Sequence, residues 1–434
     1  MPADLSTMSS LLTDDIQPGI RNQLNDEVPL LKQFENDYDT AFEGMEAVIT
    51  IKVNRNRGGY ATAEGGAAPT AGNQRLEKMR VGMRYYHHNI RITKQLMLSS
   101  RGKNTSAARG LQLEMDGMMD DLRVQKNFHL WHFGTGIRAL ANGTPGTDTR
   151  MEVDSPGGAA GATNGARYLN DGDYIVAINP ASGLLRAGGT RLINAIATDG
   201  TYVDVAAAID TAWADNDYIV KAYGSDASIA INNTEWNHPH MGMLGIVDNG
   251  AFVNTWFGLS RTSFPVLQAP LISAVGALSA DVIQRGIDLA VQLGRADIKK
   301  HWMDPSVLRA YLAISQGDRR YTGGDLMSPN VGTKYAAGKL GPTGIFFGTG
   351  ELCVDHWAPY GMWFGCDNSD WVRWVMDEGS WINEDGSTLT RVGSTAVDTF
   401  DATFRLFDQF GSYRPSRCFR LAGISANVVV VHSI

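Results

Sequence analysis

Three cysteines in 434 residues are too few for a disulfide framework and point to a reducing compartment. No apolar run approaches the roughly 18–20 residues that a bilayer span requires; Val428 to Val431, the longest candidate, has only strand length. Met1 to Ser10 lack the basic-then-apolar order of a secretory signal. Bases are outnumbered, 38 Lys+Arg against 46 Asp+Glu, for a formal charge of −8, so bulk charge excludes a dedicated nucleic-acid binder. Proline is modest at 15 while glycine reaches 48, which predicts many loops without low complexity. Neither a Gly-x-Ser-x-Gly elbow nor His-Glu-x-x-His occurs. What is left is a soluble, cytoplasm-made globular chain, long enough for two to four units at about 100–200 residues each.

The charge is unevenly spread. Residues 1–49 carry ten acids and two bases, whereas residues 50–138 carry fifteen bases and six acids. An acidic segment followed by a basic one predicts that the two meet, within one chain or between copies, unless both are merely solvated faces. The first forty residues read as an arm with short helical pieces broken by Pro18 and Pro29. Such an arm cannot bury itself and should lie on something else. From Ala47 the period becomes two, with Ala47, Ile49, Ile51 and Val53 on one side, and a second strand-like run covers Tyr86 to Leu98. These are expected to form a long hairpin around a Gly- and Ala-rich tip, Gly58 to Asn73, that is nearly featureless and has no evident partner nearby in sequence.

Thr105 and Ser106 open the strongest predicted helix, in which Ala108, Leu111, Met115, Met118, Leu122 and Leu130 keep a 3.6 period until Gly134-Thr-Gly136. Ala141 to Ala166 reads as a linker. Beyond it Asp171-Gly-Asp-Tyr-Ile-Val176 returns as Asp215-Asn-Asp-Tyr-Ile-Val220, which predicts a small barrel or sandwich of four to six strands over 167–224, folding on its own. A helix at Ser279 to Leu293, capped by Ser279 and stopped by Gly294, another at Pro305 to Ser315, and mixed strands over 345–434 complete the expectation.

Motifs for chemistry come close and fail. Gly332-Thr-Lys-Tyr-Ala-Ala-Gly338-Lys339 is one residue too long for a phosphate loop, and Leu340 stands where a magnesium-binding hydroxyl is required. Cys353, His356 and Cys366 supply three potential metal ligands without a fourth close in sequence, so Cys353 is better read as a small core residue. His129 and His132 sit three apart on the predicted helix with no second pair to complete a metal site, and His238-Pro-His240 reads as a turn. Asp171, Asp173, Asp215 and Asp217 do not continue into a calcium loop and read as acidic turns. Asp377, Glu378, Glu384 and Asp385 are the nearest thing to a carboxylate pair for glycoside hydrolysis, but lie in turn-like sequence. No catalytic, cofactor or metal site is predicted. What stands out is a set of surfaces that one subunit cannot satisfy.

In order and character the chain resembles the major capsid proteins of tailed bacteriophages, with the Hong Kong ninety-seven type fold. The residues that carry the resemblance are Leu24 to Asn36; Ile51-Lys-Val-Asn-Arg-Asn-Arg-Gly-Gly59 with Ala63-Glu-Gly-Gly66 and Pro69-Thr-Ala-Gly-Asn73; Ala107 to Phe133; Asp304-Pro-Ser-Val-Leu308; Phe346 to Gly361; and Phe400 to Phe410 with Cys418 to Ile424. The resemblance implies an α+β fold: an N-terminal arm (1–46), an extended loop (47–98), a spine helix with peripheral domain (99–144), an inserted β domain (145–225), a peripheral/axial connection (226–278), an axial domain (279–370) and returning strands (371–434). It implies a structural protein, not an enzyme, forming hexamers and pentamers of a shell around double-stranded DNA packaged without sequence specificity, with no cofactor and no membrane. Portal, decoration protein and a separate scaffold are the implied partners, because the chain starts almost at the arm. An encapsulin-type compartment shares the fold; a polysaccharide-acting enzyme is the rival of another class. The expected inter-subunit contacts flank the loop tip: Arg55, Arg57, Gly58, Gly59, Glu64, Gly65, Gly66, Arg75, Arg80 and Arg84. The lysine-to-asparagine cross-link that some members form is not expected, since no lysine falls between Asn54 and Glu77, and Lys52 and Lys78 are placed at the hairpin base.

Overall fold

A computed structural model describes residues 29–37, 46–95, 108–143, 146, 148–156, 165–316, 346–382, 390–391 and 399–425. The first 28 residues, Thr105 and Ser106, the Gly332–Lys339 motif, Glu384, Asp385 and Val428 to His432 lie outside them. In chain order the strands are β1 (Glu35–Asp37), β2 (Glu46–Asn54), β3 (Arg75–Gly82) and β4 (Arg84–Thr93), followed by the long helix Ala108–Trp131. Next come β5 (Ile137–Ala141), β6 (Arg150–Asp154), β7 (Tyr174–Ile178), β8 (Arg191–Ile196), β9 (Tyr202–Val205) and β10 (Tyr218–Ala222). Then follow β11 (Thr255–Trp256), β12 (Leu259–Ser260), β13 (Leu271–Ile272), helix Ala280–Gly294, β14 (Lys300–Met303) and helix Pro305–Gln316. The last are β15 (Phe346–Phe347), β16 (Gly350–Val354), β17 (Trp363–Cys366), β18 (Trp371–Trp381), β19 (Thr390–Arg391), β20 (Thr399–Ser412) and β21 (Cys418–Leu421). The class is mixed α+β, as read from the sequence. No helix among the described residues is long and apolar enough to cross a membrane.

One sheet runs β1-β18-β20-β19, with β4 added along β20 from Arg84↔Asp408 to Thr93↔Thr399. The long helix, roughly 36 Å at 1.5 Å per residue, lays Met118 and Leu122 on this sheet against Tyr86, Ile90, Phe404 and Leu406. The end of the acidic arm is part of it: Leu30 and Phe34 are buried, and Phe34 stacks on Trp371 with centroids 4.9 Å apart. A second sheet, β13-β21-β17-β14-β16-β15, carries the two later helices, with Ile283 and Ala290 packed beside Trp363, Phe419 and Leu421. The Ser279 hydroxyl caps the first of them by accepting from the Val282 amide at 3.3 Å. Arg295, not Gly294, takes the left-handed conformation that ends it.

The β unit is a closed six-stranded barrel, β10-β5-β6-β9-β8-β7. The echoing segments explain its seam. β7 and β10 lie side by side, antiparallel, with Val176 opposite Val220. The middle residue of each acidic turn, Gly172 and Asn216, has positive φ, 83° and 62°, which glycine and asparagine adopt at least strain. Asp173 pairs with Lys221 at 2.6 Å and Asp217 with Arg186 at 2.8 Å, so these carboxylates tie strands rather than hold a cation. Closure corrects the expected boundary. β5 and β6 come from before and within the stretch read as a linker, so 167–224 holds only four of the six strands.

The hairpin also differs from its sequence reading. β2 pairs with β3, from Glu46↔Gly82 to Asn54↔Arg75, while the run from Tyr86 belongs to β4 and pairs with β20. Ile90 and Ile92 alternate more strongly than the true return strand, but they pair with β20. The true return, Arg75–Gly82, places only Met79 and Val81 in the core, too little apolar signal to stand out beside its charges.

Candidate assembly surface

Alternation along the hairpin sorts its side chains. Ala47, Met79 and Val81 enter the main core, with Ile49 and Ile51 packed against it. The opposite face is exposed and carries Lys52, Lys78 and Arg80 together with Val48 and Leu76, the last 58% exposed. The partner missing from nearby sequence is the segment around residues 255–266. The Arg80 amide donates to the Phe257 carbonyl at 2.9 Å, and the Arg75 guanidinium lies 4.9 Å over the Phe264 ring. Desolvated apolar residues at the base therefore fix the hairpin's direction, and the far end projects.

Residues 55–74 are exposed except Gly58 and Gly72, which shield each other. A Cβ on Gly58 would strike the Gly72 amide nitrogen, and one on Gly72 would strike the Asn56 carboxamide and the Gly58 backbone. Asn56 Oδ1 accepts from the Gly58 amide at 2.8 Å. The two limbs thus cross at a neck that only glycine permits. Beyond it Gly65, at φ 77°, turns the tip, closed by a 2.9 Å bond from the Gly66 amide to the Ala63 carbonyl. The tip is a necked lobe, not a featureless strand end.

The expected contact residues divide accordingly. Arg55 and Arg57, with Lys52 and Val266, line an open cavity of about 620 Å³ beside the neck. Gly59, Glu64, Gly65 and Gly66 form the exposed lobe. Arg75 pairs with Glu77 at 2.8 Å and Arg80 with Glu46 at 3.5 Å, all within the hairpin; exposed pairs of this kind contribute roughly 0–1 kcal/mol. Arg84 does not flank the tip. It lies on β4, donates to the Asn237 carbonyl at 2.7 Å, and burial lowers its pKa. Lys52 needs the reverse correction. Its register partner is Leu76, so it stands at the loop end of β2 and not at the base. Asn56 and Val266 lie outside the expected contacts, and Gly72, one of the tip glycines in the sequence, gains its role from meeting Gly58.

Behind the hairpin lies a buried polar junction that joins helix, barrel and sheet. Arg138 on β5 makes two 2.9 Å bonds to Glu235, and Gln125 on the long helix donates to the same carboxylate at 2.7 Å. Burial would raise the Glu235 carboxyl, but the Arg138 guanidinium outweighs it and holds the pKa far below the carboxylate range. Tyr86 Oη and His129 Nδ1 are 3.0 Å apart, and the His240 amide donates to the same tyrosine oxygen at 3.3 Å. His129, His132 and His240 are all buried, and desolvation lowers the pKa of each. The chain bends at Pro239, in keeping with the turn reading, and His240 beyond it is a core residue. Among the described residues no group of His, Cys, Asp and Glu is placed to hold a metal ion. Asp377 is bound to Arg405 at 3.0 Å, the Ser380 hydroxyl at 3.0 Å and the Gly379 amide at 3.1 Å, a structural arrangement at the start of the carboxylate-rich stretch.

No protein-family model matches the chain, and no curated protein does. Among solved structures it is similar to the capsid asymmetric unit of Cyanophage A-1(L), 13% identical, over 97% of this chain and 99% of that one, with a TM-score of 0.55. It is also similar to the capsid of a native GTA particle (8% identical, 96% of each chain, TM-score 0.49) and to Gordonia phage Cozz (8%, 97% and 94%, TM-score 0.47). Over 97% of its length the chain shares the fold of that cyanophage capsid unit.

Proposed function

We propose that this chain is the major capsid protein of a tailed bacteriophage, a structural subunit that assembles as hexamers and pentamers of an icosahedral shell enclosing double-stranded DNA. The observation that carries the reading is the end-to-end likeness to a phage capsid unit. The exposed basic hairpin adds a physical reason, because its necked lobe is left uncovered by the described residues, and such a lobe has no use in an isolated monomer. In this reading β2, β3 and the loop between them are the extended loop, and the long helix is the spine. The five-stranded sheet is peripheral, the six-stranded sheet with its two helices is axial, and the barrel is an insertion. Contacts at Arg55, Arg57 and the lobe from Gly59 to Gly66 meet acidic groups of a neighbouring subunit, and the protein resides in the virion.

The test is to purify the full chain and image it by negative stain in low and high salt. Shells, sheets or capsomer rings that weaken at high salt are the expected outcome. A uniform monomer across protein concentration overturns the reading. Nuclease-resistant DNA inside particles from the native source supports a phage shell over an encapsulin-type compartment.

A further inference from the structure

Cys366 ends β17 and Cys418 begins β21, and the antiparallel register sets them directly opposite each other. The backbone bonds identify the kind of pair. On β21 the Arg420 amide bonds the Pro270 carbonyl at 3.0 Å and the Ala422 amide bonds that of Ile272 at 2.9 Å, so the even-numbered residues turn their polar groups toward β13. Cys366 turns its carbonyl the other way, accepting from the Lys299 amide at 3.3 Å. Neither cysteine bonds across the β17–β21 ladder, which makes them a non-hydrogen-bonded pair. Such pairs have Cα atoms about 4.5 Å apart and the closest side chains in an antiparallel sheet. That separation falls within the roughly 4.4–6.8 Å that a disulfide spans. Both residues are fully buried and free, and the register sets them face to face. Cys353 is on β16, separated from β17 by β14, and is out of reach of either.

We propose that Cys366 and Cys418 are a closable dithiol, which forms an intramolecular cross-strand disulfide when the folded chain meets a small disulfide oxidant. One thiolate attacks the oxidant's S–S bond, forming a mixed disulfide and releasing one small thiolate. The second cysteine attacks the protein-bound sulfur, closing the Cys366–Cys418 bond and releasing the other. The two cysteine protons pass to the two released thiolates, so two electrons leave the protein and two small thiols result. Desolvation holds the Cys366 thiol pKa well above its ordinary value, so the exchange is slow and waits on local opening. The new bond encloses β18 to β20, the strands through which the chain leaves one sheet and returns from the other. Nothing in this depends on shell formation, and the test uses the free chain.

Reduced full-length protein is equilibrated with oxidised glutathione, in buffer and again in sub-denaturing urea that speeds opening, then unfolded, alkylated and mapped by mass spectrometry. One alkylated thiol of the three, at Cys353, and a peptide joining Cys366 to Cys418 are expected. The same link is expected in C353S and is lost in C366S. Three alkylated thiols after the urea incubation, or glutathione left singly on Cys366 or Cys418, overturn the proposal. So does a mixture of all pairings like that of the fully unfolded chain, because the fold would then not be directing the bond.

Discussion

The barrel and the hairpin are both built of antiparallel strands, and they solve the edge problem in opposite ways. The barrel closes on itself, and its core of Met151, Val153, Ile175, Val203, Trp213 and Ile219 is separate from the rest of the molecule. The hairpin has two strands, one face on the body, and an outer face left with Val48 and Leu76 in solvent. A closed sheet leaves no unpaired backbone to template another chain, whereas a two-stranded ribbon is marginal without a surface. Val48 and Leu76 on the hairpin's outer face are thus left open to a neighbour in the assembly proposed above.

The sharpest way to break the comparison is to cut the barrel at two places. A fragment of residues 137–223 keeps all six strands and is expected to show a cooperative thermal melt with a β-type circular dichroism spectrum. A fragment of 167–224 lacks β5 and β6, exposes two edges and part of the core, and is expected to lose the transition altogether. Equal melts from the two would mean that closure contributes nothing.

The attachment of the barrel comes next in size. Glu235→Ala leaves Arg138 buried beside Gln125 and His129 without its carboxylate, and removing one partner of a buried pair costs about 3–5 kcal/mol. The urea midpoint should fall accordingly, while Glu77→Ala on the hairpin should move it by no more than about 1 kcal/mol. Acid acts on the same junction. His129, His132 and His240 have pKa values depressed by burial, so the unfolded chain takes up protons first as pH falls below the ordinary histidine value near 6.5. Their contribution to stability is thus full above that pH and is lost as pH falls toward the folded values, by up to about 1.4 kcal/mol per pH unit for each. His301, lowered to about 4 mainly by burial, extends the loss downward. Denaturant midpoints measured between pH 8 and 4 should fall with acid, and a flat profile would refute the assignment.

How much of this was legible depends on whether the signal was local. The barrel was visible because Asp-Gly-Asp and Asp-Asn-Asp announce two identical turns, and the long helix because its period holds through Met118, Leu122 and Leu130. β6 was hidden in a Gly- and Thr-rich stretch where Met151 and Val153 are its only core residues. The pairing of β4 with β20 joins residues more than 300 positions apart, and periodicity carries no information about partners. Of the candidate surface, the arginines and glycines were legible as types. That Gly58 meets Gly72, and that Arg84 turns inward to Asn237, depends on tertiary approach.

The smallest effect on stability is expected at the lobe, where the proposed assembly is tested most directly. Replacing Gly58–Asn73 by a short turn removes residues that are exposed apart from the neck glycines, so the subunit's denaturant midpoint should stay within about 0.5 kcal/mol of the parent. A finer probe leaves the length intact. Gly72→Ala puts a methyl group against Asn56 and the Gly58 backbone, which forces the limbs apart and re-aims the lobe while leaving β2, β3 and their anchors at Phe257 and Phe264 alone. If the lobe's direction is what a neighbouring subunit reads, Gly72→Ala should keep the melt and lose shell yield by the same order as the deletion. Normal particles from Gly72→Ala alongside failed assembly from the deletion would shift the weight from the neck to the lobe's own side chains. Normal particles from both would return the hairpin to the same footing as the barrel, a part of the subunit that satisfies itself.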